Sequence, residues 1–124
     1  MAYNPLLEEK IRLELIQMGI EASEKKMFGG VAFMVEDRMV AGIVRDDLMV
    51  RTRADIYEEV LTRPYVRPMD FNKKPMKGFI YVAWEGISTH PDMLGQYLNL
   101  ALDYLHSPEG QAAAAKKAKA KKKA

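Results

Sequence analysis

Three apolar runs lie within residues 30–52 with almost nothing between them, and that spacing restricts the fold more than any other feature of the chain. In the first, Val31, Phe33 and Val35 alternate with Ala32, Met34 and Glu36; the second covers residues 39–44 and the third residues 48–52. A period of two sends alternate side chains to opposite faces of a strand. The links are only Asp37-Arg38 and Arg45-Asp46-Asp47. Parallel neighbours need a crossover of about a dozen residues, so links this short force an antiparallel meander.

Helical signals flank the meander. Asn4-Pro5 supplies a capping oxygen and a proline whose missing N–H costs nothing in a first turn, and Leu7, Ile11, Leu15 and Met18 recur at helical spacing. A helix is expected over 5–18, stopped by Gly19, with EASEKK as a polar link to the first strand. Thr52 and Asp55 form a T-x-x-D start for a short helix carrying Ile56, Tyr57, Val60 and Leu61 and ending before Pro64. Pro64 and Pro68 confine YVR to an edge, FNKKPMKG (71–78) reads as a turn, and GFIYVAW (78–84) as a central strand buried on both faces, broken by Glu85-Gly86. Thr89 and Asp92 predict the start of a last helix reaching about His106. Its stripes, Leu94, Leu98, Ala101 and Leu105 beside Met93, Tyr97, Leu100 and Tyr104, make a wide apolar arc, expected either to be buried in its own domain or to meet a second subunit. The fold class is therefore α+β, an antiparallel sheet of about five strands with helices packed on it in the order α-β(3)-α-β(2)-α.

With 124 residues, 48% of them hydrophobic, the chain suits one core. No run approaches the roughly 20 apolar residues of a spanning helix, and MAYNPLLEEKIRLEL has acids where a secretory leader needs a basic start. A soluble, cytoplasmic protein without membrane contact is expected. The lack of cysteine removes disulfides and thiolate chemistry. Charge divides the chain: residues 1–109 hold thirteen basic and seventeen acidic groups, whereas residues 110–124 hold six lysines and no acid. We read 1–109 as the folded domain and 110–124 as a flexible Lys/Ala tail.

Three segments, KMFGGVAFMVEDRMVAGI (26–43), RPMDF (67–71) and PMKGFIYV (75–82), together resemble the N-terminal domain of the TfoX/Sxy family, named for bacterial regulators of natural competence. Met27, Phe28, Gly29, Gly30, Met69, Phe71, Met76 and Gly78 carry the likeness, which spans about residues 15–105. The resemblance implies a secretion-chaperone-like α-β(3)-α-β(2)-α fold, often dimeric, and a part in competence or transcription regulation. Full-length competence regulators add a C-terminal helical domain similar to nucleic-acid-binding modules. Here the Lys/Ala tail stands in its place.

Candidate chemistry is sparse. Gly29 and Gly30 lead into a strand with no Lys-Ser/Thr pair behind them, so they read as a backbone device rather than a phosphate loop. His90 and His106 sit at opposite ends of one predicted helix, about 24 Å apart at 1.5 Å per residue, too far to share a metal. No nucleophile–base pair is found, so no catalytic residue, metal or cofactor is assigned. Arg67, Asp70 and Lys77 could form a polar cluster on one sheet edge and bind a ligand; the plainer reading has Asp70 accepting turn amides. Lys116, Lys117, Lys119, Lys121, Lys122 and Lys123 could neutralise phosphates of DNA or RNA weakly and without sequence preference, or simply solubilise the chain. The expected function is a non-enzymatic regulatory or interaction module, a homodimer with a possible protein partner. The alternatives are a small-ligand-binding or enzymatic domain at the Arg67/Asp70/Lys77 edge, or a chaperone-like peptide binder.

Overall fold

The computed structural model describes residues 3–27, 29–71 and 74–112, without the side chains of residues 27, 70, 71 and 74–77. The elements are α1 (Pro5–Gln17), β1 (Ser23–Met27), β2 (Gly30–Val35), β3 (Arg38–Val44), β4 (Asp47–Arg51), α2 (Ala54–Val60), β5 (Val66–Phe71), β6 (Lys74–Ala83), α3 (Trp84–Thr89) and α4 (Met93–His106). The strands form one six-stranded sheet in the order β1-β2-β3-β4-β6-β5, with every neighbour antiparallel.

The expected meander is β2-β3-β4. Its first turn falls on Glu36 and Asp37, with φ of 53° and 62°, the double left-handed geometry that suits a tight hairpin. The sixth strand, β1, comes from the segment read as a polar link. Its residues Ser23, Glu24, Lys25 and Lys26 are all exposed, so no apolar alternation betrayed it; charged side chains are what an edge strand carries to discourage further pairing. Met27 pairs with Gly30, and Gly29 turns the chain between them at a φ of 74°. The two glycines thus close a hairpin between two strands, the backbone role expected of them.

Other boundaries moved. The stretch read as a turn, FNKKPMKG, is strand from Lys74 onward, and Trp84 opens α3 instead of ending the strand. Thr52 caps no helix: it is fully buried, and its hydroxyl donates to the Gly78 carbonyl. The free Ala54 amide at the start of α2 donates to Glu109 Oε1 at 3.0 Å, a partner 55 residues away. Thr89 ends α3, with its hydroxyl bonded to the Glu85 carbonyl at 2.7 Å, and α4 starts at Met93. Two T-x-x-D matches therefore failed for one reason. A hydroxyl that finds a carbonyl in the packed chain no longer serves an amide.

Register sorts the sheet into two faces. Val31, Phe33, Ala41, Ile43, Leu48, Val50, Ile80 and Val82 pair across β2, β3, β4 and β6, and none exceeds 2% exposure. They form one cluster with Leu7, Ile11 and Leu15 of α1, Tyr57 and Val60 of α2, Ile87 of α3, and the buried side of α4. Each of these four helices buries residues in that cluster, though Tyr104 of α4 packs instead against Arg51, which pairs with Phe79 on the opposite face. Met34, Met39, Met49, Phe79 and Tyr81 stand half-buried on it. Strand β6 is thus internal but deeply buried on one face alone. The wide arc of α4 is covered within the chain: Leu94, Tyr97, Leu98, Ala101, Leu102, Tyr104 and Leu105 are buried, and Met93 and Leu100 pack against the core.

Candidate functional site

Arg67 lies on β5 opposite Tyr81 of β6, and Asp47 of β4 lies opposite Ala83 of the same strand. Side chains at these positions share the face opposite the core. The Arg67 guanidinium stacks over the Tyr81 ring, 4.8 Å from its centroid, and donates to both oxygens of Asp47, with Nη1 to Oδ1 at 3.3 Å and Nη2 to Oδ2. The sequence points to Arg67 but to neither partner. Arg67 and Asp47 are 20 residues apart, and only the insertion of β6 between β4 and β5 brings them together.

Of the other two members of the predicted cluster, Asp70 pairs through its backbone with Pro75, beyond an irregularity in register, and Lys77 lies in β6. Their side chains, and hence any convergence with Arg67, fall outside the described residues. So do the side chains of Met27, Phe71 and Met76, the whole of Phe28, and the six tail lysines. Met69 is half-buried on β5, while Gly30 and Gly78 are buried.

A second arginine works differently. Arg51 closes β4, and its guanidinium lies 4.9 Å from the Phe79 ring centroid and 4.5 Å from that of Tyr104 on α4. Glu109 Oε2 is 3.9 Å from Arg51 Nη2. Just beyond, Gly110 is buried, its carbonyl accepts from Arg38 Nη1 at 3.0 Å, and its amide donates to Ser107 Oγ at 3.0 Å. These contacts fasten the end of α4 and the short helical stretch 108–112 to one end of the sheet, so packing reaches at least Gly110.

A cleft of about 670 Å³ opens between α1 and β1-β2, away from Arg67. Leu15, Ile16, Ile20 and Phe33 make its apolar part, and Glu21, Glu24, Glu36, Asp37 and Arg12 its charged part. Arg12 Nε and Nη2 each donate to Glu24 at 2.8 Å. That hydrogen bonding holds the Glu24 carboxyl below its ordinary range and pushes the guanidinium higher. The pair ties α1 to the edge strand.

His90 is exposed, packed by its ring against Tyr65 with centroids 5.7 Å apart, and His106 is exposed at the end of α4. Among the described residues, no group of three or more His, Cys, Asp or Glu side chains could hold a metal ion. Nor is any helix there long and apolar enough to cross a membrane.

The model of the TfoX N-terminal domain family matches residues 14–120. A search of curated proteins finds no match.

Proposed function

Because the chain belongs to the TfoX N-terminal domain family, we propose that it is a non-enzymatic regulatory module that works through protein contacts as a homodimer. The observation that carries this reading is the family match over 14–120. The geometry supports it with the sheet face opposite the core, on which half-buried Met34, Met39, Met49 and Tyr81 present adaptable apolar surface. Arg67 is already engaged by Asp47 and Tyr81, which favours an interaction surface over a site where Arg67 receives a small anion.

The lysines of the tail add weak, sequence-independent affinity for nucleic acid, because neutralised phosphates release counterions. Two measurements test the proposal. Capture from the native cell is expected to retain a partner with the full chain and to lose it with Met49→Glu. DNA binding is expected to weaken in a chain ending at Ala112 and to fall steeply with salt in the full chain; equal affinity of the two chains would end the role of the tail.

A further inference from the structure

Helix α1 is apolar on two opposite sides. At 3.6 residues per turn, Leu7, Ile11 and Leu15 share the side sunk in the core, each no more than 2% exposed. Leu6, Leu13 and Ile16 group around Glu9 on the other side and are 59%, 52% and 64% exposed. Among the described residues only Tyr65 is a further large hydrophobic so exposed. Scattered exposed leucines need no explanation, but three on one stripe of one helix do. Positions 6, 9, 13 and 16 also follow the three-four-three spacing of a helix-pairing seam.

We propose that this stripe is the contact between two copies of the chain, α1 packing antiparallel on α1 of the second copy about a two-fold axis level with Ile11. The inference rests on the dimer reading above and gives it a surface.

The stripe is its own complement. Leu6 and Ile16 are equally far from Ile11 along the helix, and so are Glu9 and Leu13. Reversal about that level sets Leu6 against Ile16 of the second copy and Leu13 against the stem of Glu9 of the second copy, and the symmetry repeats both contacts. Charge agrees in part, since the same reversal also sets the two Arg12 side chains within one turn of each other, each paired with its own Glu24. Glu9 falls within one turn of Arg12 of the second copy; the Arg12 side chain is 47% exposed and uses Nε and Nη2 on its own Glu24, which leaves Nη1 for another carboxylate. Three half-exposed aliphatic side chains with a charged rim make a small interface beside the roughly 800 Å² per partner of a standard one. The dimer is therefore concentration-dependent.

Sedimentation equilibrium of the full chain and of Leu13→Glu tests this. The wild type is expected to dimerise in the high micromolar range, and Leu13→Glu to raise the dissociation constant by about tenfold or more, as a charge at the centre of a seam does. An unchanged circular dichroism spectrum and melting temperature would show that the exposed substitution leaves the fold intact. A wild type that stays monomeric overturns both this contact and the dimer reading. A wild-type dimer unmoved by Leu13→Glu overturns the contact alone. Orientation is tested separately, since the chain has no cysteine. Mixed Glu9→Cys and Leu13→Cys chains are expected to cross-link under mild oxidation faster than either variant alone, whereas preferential self-cross-linking of one variant, or none, overturns the antiparallel arrangement.

Discussion

A methyl group added at Gly86 would arrive 2.5 Å from Cγ of Tyr65 and 2.8 Å from its Cβ. Alanine is the better helix former, but the stem of a ring has nowhere to go, so overpacking decides the sign. Gly86→Ala is expected to destabilise the fold by about 1–3 kcal/mol in urea titrations. Tyr65→Ala should relieve part of that cost in the double variant, because the two positions touch. Gly95 gives the opposite forecast. A Cβ there meets only the Glu14 carboxyl, Oε1 at 2.7 Å and Cδ at 3.6 Å, the far end of a flexible side chain. Gly95→Ala inside α4 is therefore expected to stabilise by about 0.5–1 kcal/mol, the usual gain of alanine over glycine in a helix. Neither result follows from the residue types. Both glycines stand in helices, and only their neighbours in space differ.

Among elements, β1 pairs with the sheet although Ser23, Glu24, Lys25 and Lys26 are all exposed, and the Arg12–Glu24 ion pair links it to α1. The Glu24 carboxyl is held low in the folded state by the Arg12 hydrogen bonds. The folded chain thus takes up this proton less readily than the unfolded chain. The resulting stabilisation is complete above the ordinary carboxylate pKa of about 4.3 and is lost as pH falls through the lower folded value. Glu24→Gln is expected to narrow the gap between melting temperatures at neutral and at acid pH; a gap equal to that of the wild type would show that the pair does not anchor the edge. The effect is small, since both side chains keep contact with water. The strands of the meander were legible because alternation reports burial of one face. Strand β1 and the first half of β6 were not, since an exposed strand leaves no such alternation and the glycine and proline of FNKKPMKG imitate a turn.

For the whole molecule, the packed body and the lysine tail are expected to separate on truncation. A chain ending at Ala112 keeps the hydrogen bonds of Glu109 to the Ala54 amide and of Gly110 to Arg38, and should melt like the full chain. A chain ending at Pro108 loses both, leaves the first turn of α2 without its acceptor, and is expected to be about 1–3 kcal/mol less stable by chemical denaturation. Sequence by itself determined the antiparallel meander, the apolar stripes of the first and last helices, the charge division between body and tail, and the family, because each is written in neighbouring residues or in a local run of motifs. Tertiary structure decided which hydroxyls and carboxylates serve as caps, that Arg67 meets Asp47 across the intervening β6, that α1, α2, α3 and α4 all bury residues in one cluster, and that α1 leaves Leu6, Leu13 and Ile16 exposed. Each of these depends on residues brought together by strand order and layer packing, and distance along the chain carries no record of that.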